Sequence, residues 1–323
     1  MIEFDEHSTF TSIEEFLVKR GWLEINEHIF KVTKAGEGNM NVVLRVVTNF
    51  RSFILKQSRP FVQKYQDIPA PLDRIKVEKK FYELITSPHL NAHIPKVLGF
   101  HAPTHTLILE DLGKCEDMSR IYTTRTIDKR TLMKLVTILK TIHQTTAVED
   151  FPSNIDMRKL NHQHIFILPF MEENGFSLDS VQEGLQALSI PYKKDAALKM
   201  EIEEIGKKYL APGNTLLHGD YYPGSWMTKE NNLYVIDPEF GFVGFAEFDL
   251  GVLCAHLILA TDKASYLSKV LSLYDGNINT KLTEQIAGIE IMRRLIGLAQ
   301  LPLKRTLEDK KQLLQMAHKL ILS

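Results

Sequence analysis

Leu217-His218-Gly219-Asp220 and Val235-Ile236-Asp237-Pro238-Glu239 bring three carboxylates into one short stretch, each adjoining an apolar, strand-like run. Carboxylates grouped in this way can hold divalent cations through hard oxygen donors and can take the proton of an attacking hydroxyl. Asp220 ends an apolar run just before a turn containing Tyr221, Tyr222, Pro223 and Gly224, a placement suited to a general base. Asp237 and Glu239 flank a proline that fixes the backbone, so both leave a strand end together and suit Mg2+. An isolated Asp-Pro-Glu is more often a strand-capping turn, but here it follows Asp220 by seventeen residues, and the pairing points to chemistry. A proton acceptor beside a cation site is what phosphoryl transfer requires.

A triphosphate must also be held and its charge neutralised. Lys56 closes the apolar run Phe53-Ile54-Leu55, which directs its ammonium into a cleft. Glu78 on the following helix can hold that lysine. Glu83 is a second candidate, whereas Lys79 and Lys80 are cations themselves. Gly36-Glu37-Gly38-Asn39, between two strands, lets backbone N–H groups approach phosphate oxygens closely. It is neither a Walker pattern nor a full Gly-x-Gly-x-x-Gly, because Asn41 stands where the third glycine would be, and an ordinary hairpin turn has the same composition. Tyr221, Tyr222 and Trp226 could shape a substrate pocket, although aromatic residues beside a strand also serve packing.

The elements that must position these groups differ along the chain. Residues 10–22 have the period of an amphipathic helix with a stop at Gly21. Residues 28–47 and 53–55 read as strands, 72–85 as a helix, and 95–100 and 106–109 as two further strands. Beyond Glu110 the pattern is mainly helical, over 132–143, 198–210, 246–260, 281–300 and 307–321. Short strands at 215–217, 226–228 and 233–236 surround the carboxylates. The expected architecture is α+β and bilobal: a small antiparallel β-rich N-lobe over residues 1–110 for nucleotide, and a larger, mainly helical C-lobe over 111–323 for catalysis and substrate.

These motifs resemble the aminoglycoside phosphotransferase and choline kinase superfamily, whose fold is protein-kinase-like, and within it most closely the 5-methylthioribose kinases. The likeness is carried by residues 38–46, by Ile54-Leu55-Lys56-Gln57, and by Pro71-Leu72-Asp73-Arg74 leading to Glu78. It continues through His218-Gly219-Asp220 with Gly224-Ser225, through 235–240, and through Arg293-Arg294-Leu295-Ile296-Gly297-Leu298-Ala299. The resemblance implies ATP-dependent phosphorylation of a hydroxyl on a sugar or sugar-like small molecule, methylthioribose first. It implies Asp220 as base, Asp237 and Glu239 on Mg2+, Lys56 on phosphates, and backbone bonds from Glu110 to Leu112 to adenine. Ser225 stands where many relatives carry a metal-binding asparagine, and methylthioribose kinases are similar in having serine there. At least one of Arg293 and Arg294 is expected at the acceptor, and Asp249 is expected to cap a helix beneath the catalytic loop. The likeness is also compatible with a homodimer. Residues 66–70 lack the tryptophan that methylthioribose kinases carry before Pro-Leu, and the chain is shorter than their typical members. Alternatives are an aminoglycoside or amino-alcohol (choline-type) phosphotransferase, or a nucleotide-binding regulator without turnover. Neither Ala-Pro-Glu nor His-Arg-Asp occurs, which argues against a protein kinase.

Composition supports a small-molecule partner. The chain has 39 basic and 40 acidic residues, so no net field gathers nucleic acid or an anionic membrane. Its longest apolar run, 250–260, is too short to span a bilayer and carries His256. Two cysteines and an acidic start lead to the expectation of a reducing cytoplasm. His162 and His164 are spaced like ligands on a strand, but nothing nearby completes a metal site. His143 and His256 read as core histidines.

Overall fold

The computed structural model describes residues 3–5, 8, 10–36, 40–85, 87–146 and 148–323. Helix α1 (Phe10–Val18) precedes β1 (Ile29–Lys34), β2 (Asn41–Thr48), β3 (Ser52–Ser58) and a short hairpin of β4 (Phe61–Val62) and β5 (Tyr65–Pro69). Helices α2 (Arg74–Leu84) and α3 (Pro88–Asn91) lead to β6 (Val97–His101) and β7 (Thr106–Glu110). A single antiparallel sheet runs in the order β1, β2, β3, β7, β6.

Strand periodicity divides this sheet into two faces. Leu44, Val46, Phe53, Leu55 and Ile108 turn one way and pack with Ile13, Phe16 and Leu17 of α1 into a small apolar cluster. Leu107 and Leu109 turn the other way, towards Ile75, Val77 and Phe81 of α2, and join the main core. Lys56 alternates with Leu55 and so lies on the face opposite α1, directly across from Val43 of β2.

The second lobe contains β8 (Glu116–Asp117), α4 (Ile121–Thr124), α5 (Lys129–His143), α6 (Ile155–His162), α7 (Leu185–Lys194) and α8 (Ala196–Leu210). Next come β9 (Thr215–Leu217), β10 (Trp226–Lys229), β11 (Asn232–Val235) and β12 (Phe242–Gly244), and finally α9 (Glu247–Thr261), α10 (Ser265–Tyr274), α11 (Thr280–Ile296) and α12 (Leu307–Leu322). Strand β9 pairs with β12, and β10 pairs with β11 and β8. The loop carrying Asp220 therefore joins these two small ladders, and so does the loop carrying Asp237 and Glu239.

Helix α9 is apolar on nearly every side and fully enclosed, as a helix at the centre of a bundle must be. Its contact with α11 is close because Gly251 has no side chain; a Cβ there would lie 2.5 Å from Ile286. Side-chain caps start α5 (Asp128), α11 (Asn279) and α12 (Thr306, with Asp309 completing a capping box).

This is the bilobal α+β arrangement expected from the sequence, with local corrections. The first helix stops at Val18, and α11 stops at Ile296. His162 ends α6, and His164 sits in a π-helical turn, Gln163–Ile167, so neither lies on a strand. Among the described residues no group of three or more His, Cys, Asp or Glu side chains is placed to hold a metal, and no helix is long and apolar enough to cross a membrane.

Candidate active site

Lys56 is buried to 3 % exposure, and its ammonium is shared between two acids. Nζ stands 2.8 Å from Glu78 of α2 and 2.5 Å from Asp237. Burial opposes the Lys56 charge, but Asp237, Glu78 and Glu239 outweigh it and hold the group well above its ordinary range. Burial together with the Asp237 and Glu239 charges pushes the Glu78 carboxyl up against the pull of Lys56. Glu83, the other partner considered, pairs with Lys79 at the surface.

Asp237 takes a left-handed backbone conformation, φ 62° and ψ 48°, just before Pro238. Its N–H donates to the Tyr82 hydroxyl at 3.2 Å, and that hydroxyl donates to Glu78. Helix α2 thus fixes both partners of Lys56. The Asp237 side chain remains 46 % exposed, whereas that of Glu239 is only 7 % exposed. Glu239 accepts from Asn41 Nδ2 at 2.8 Å and pairs with Arg74 Nε at 3.3 Å, both through Oε2. Burial raises its carboxyl, with Lys56 and Arg74 pulling the other way.

Arg74 is fully buried and also donates to the Met40, Arg59 and Pro71 carbonyls. It ties the start of β2 to α2 and to Glu239, a role that isolated sequence reading assigned to nothing. The β1–β2 turn holds an exposed Gly36; Gly38 and Asn39 lie outside the described residues.

The Asp220 loop is set by its backbone. Asp249, in the first turn of α9, accepts from the His218 N–H at 2.7 Å and from the Gly219 N–H at 3.0 Å. Gly219 has φ +83°, and a Cβ there would meet the Phe240 carbonyl oxygen at 2.2 Å. His218 is buried, with Nε2 on the Ile236 carbonyl at 3.0 Å, which joins the two acid-bearing loops. Ser225, expected at the metal, is buried and donates its hydroxyl to the Asp220 carbonyl at 3.0 Å, so here it closes the loop.

Asp220 itself is raised to about 6 by burial, against the opposing pull of Arg294 and Arg293. Arg294 Nη2 stands 3.5 Å from Asp220 Oδ1, and its guanidinium lies 5.1 Å from the centre of the Tyr222 ring. Both α11 arginines are buried side chains rather than surface charges. Both meet Glu290: Arg294 through Nε at 2.6 Å and Arg293 through Nη1 at 2.9 Å. Tyr221 corrects an expectation: it is fully buried, and its hydroxyl donates to the Leu135 carbonyl at 2.8 Å, so it serves packing while Tyr222 faces Arg294.

Between the lobes, Asp111 accepts from Ser52 at 2.7 Å, from the Gly113 N–H at 2.9 Å and from Arg45. Glu110 N–H is taken by the Lys96 carbonyl and the Leu112 carbonyl by Lys229.

The phosphotransferase enzyme family model matches residues 31–276. Methylthioribose kinase 1 of Oryza sativa subsp. japonica is 26 % identical over 71 % of this chain and 56 % of its own length, so the chain spans little more than half of that relative. The methylthioribose kinase of Geobacillus sp. (strain WCH70) is 25 % identical over 87 % of this chain and 81 % of its own. A solved spectinomycin phosphotransferase, in complex with ADP and spectinomycin, has a similar fold, with a TM-score of 0.53, 14 % identity and coverage of 98 % of this chain and 100 % of that one. The span of the family match, with the paired acids and the lysine in one cleft, leads to one conclusion: this chain belongs to the phosphotransferase enzyme family.

Proposed function

We propose that the protein is an ATP-dependent small-molecule kinase that phosphorylates a hydroxyl of a sugar or sugar-like metabolite, methylthioribose being the first candidate. The observation that carries this reading is the charge arrangement of the cleft. Lys56 is pinned by Glu78 and Asp237, and the burial-raised Asp220 faces Arg294. In this reading residues 1–110 hold nucleotide and 111–323 hold the acceptor. The Leu112 N–H and the Glu110 backbone meet the adenine, and Lys56 exchanges Asp237 for phosphate oxygens.

Asp237 and Glu239 supply only oxygen donors, one of them open to the cleft, and a site of one or two carboxylates completed by phosphates suits Mg2+. Bound there, the metal would supply charge neutralisation. Asp220 accepts the proton of the acceptor hydroxyl as its oxygen bonds to the γ-phosphorus and the bond to the bridging oxygen of the departing ADP breaks. Arg294 beside Asp220 balances its charge and fixes its orientation. Free thiols at Cys115 and Cys254 suit a reducing cytoplasm.

The test is ATP consumption by purified protein against sugars including methylthioribose, amino alcohols and aminoglycosides, with Asp220→Ala alongside. Turnover on a sugar, lost by at least about a thousandfold in the variant while ADP still binds, is the expected outcome. Turnover on amino alcohols or aminoglycosides alone would move the acceptor to the second class. Full turnover in Asp220→Ala would overturn the assignment of the base.

A further inference from the structure

Helix α11 carries a carboxylate that holds both arginines at once. Glu290 is 1 % exposed and precedes Arg293 by three residues and Arg294 by four, so one helical face presents all three. Its Oε1 receives Arg294 Nε at 2.6 Å and Arg293 Nη1 at 3.1 Å, and its Oε2 receives Arg293 Nη1 at 2.9 Å. From behind, His256 of α9 places Nε2 3.2 Å from the same Oε1. His256 Nδ1 in turn meets the Tyr122 hydroxyl of α4 at 2.6 Å. Both of these residues are buried.

We propose, resting on the reading of Asp220 as the base, that Glu290 is the positioning residue of the acceptor side. Backed by His256 and Tyr122, it sets where Arg294 stands against Asp220. Two buried guanidiniums on adjacent residues repel each other, and one shared carboxylate offsets that repulsion while fixing both directions. Glu290 is held well below its ordinary range by Arg293 and Arg294, despite burial, and burial depresses His256 to about 4, so an anion and a neutral imidazole stand there at neutral pH. With Asp220 ionised, Arg293, Arg294, Glu290 and Asp220 sum to zero charge.

Removing only the Glu290 charge leaves two cations over Asp220. The groups that act on Asp220 are Arg293, Arg294 and Glu290 from α11, Glu239 from the neighbouring loop, Tyr222 beside it, Tyr122 of α4 and Tyr209 of α8. Glu290 raises the Asp220 carboxyl, so its loss lowers it.

Glu290→Gln, nearly isosteric, is therefore expected to keep ADP affinity, to lose about tenfold or more in kcat, and to move the acid limb of the pH profile down by at least about half a unit. Glu290→Asp, which retains the charge, is expected to leave the limb in place and recover part of kcat. The Asp220 carboxyl titration, followed by infrared difference against Asp220→Asn, gives the same shift without any acceptor. An unmoved limb and an unmoved carboxyl band in Glu290→Gln, with activity in the parent, would overturn the proposal. A parent inactive on every acceptor would instead remove the kinase reading, and the infrared shift would still decide the placement of Glu290.

Discussion

At the residue scale, under the proposed function, Asp220 couples reactivity to stability. Its folded pKa of about 6 lies above the ordinary carboxyl value of 3.8, so the base form accumulates as pH rises through about 6, and kcat/KM is expected to climb over that range. The same shift sets a linkage. A carboxyl raised on folding favours the folded state below its unfolded pKa and withdraws that contribution as pH rises through the folded value. Asp220→Asn removes the penalty. Thermal melts should show the variant more stable than the parent at pH 7 to 8 by about 2 °C or more, with the gap closing towards pH 4. An equal gap at both pH values would refute the linkage. Asp220, Asp237 and Lys56 stood out because each ends an apolar run, and Glu78 because it lies on the helix that follows Lys56. Tyr221 and Tyr222 were not separable, since a turn decides which ring faces inward. Arg74 was hidden because its partners, Asn41 and Glu239, are brought to it only by the fold.

At the element scale, the start of α9 carries the loop that presents Asp220. The Asp249 carboxylate takes two buried N–H groups, His218 and Gly219, and also lies 3.3 Å from His143 Nε2. Asp249→Ala should cost on the order of 2–4 kcal/mol in denaturant unfolding, because donors are left unpaired in the interior, and should depress kcat together with stability. Unchanged unfolding would show that water replaces the carboxylate. Periodicity made the sheet, α2, α5, α8, α11 and α12 readable, whereas α9, apolar on nearly every side, was readable from its unbroken apolar length. The segment from α6 to α7 was not readable: a π turn breaks the helical period, and α7 carries Pro191 internally. Strand β12 is three residues long, too short for any alternation to register.

At the scale of the molecule, the cleft is bridged by charge. Lys56–Asp237, Asn41–Glu239 and Arg74–Glu239 connect the sheet and α2 to the loop between β11 and β12. Under the proposed function a nucleotide that takes over Lys56 adds its binding energy to folding. ADP with Mg2+ at a hundred times its Kd should stabilise the protein by about 2.7 kcal/mol, and Lys56→Met should abolish most of the melting shift at the same concentration. A melting temperature unmoved by nucleotide in the parent would count against the cleft as its site.

The apolar cores divide the chain differently from the cleft. Among the described residues only the α1 face of the sheet has a cluster of its own; α2 and the Leu107 and Leu109 side of β7 belong to the same core as α5, α9, α11 and α12. A chain cut after residue 110 would therefore keep its strands but expose Ile75, Val77, Phe81, Leu107 and Leu109 to water. The cleft between the two lobes does not separate them as folding units, and the excised N-terminal piece should aggregate rather than fold unless the helical half is supplied in trans.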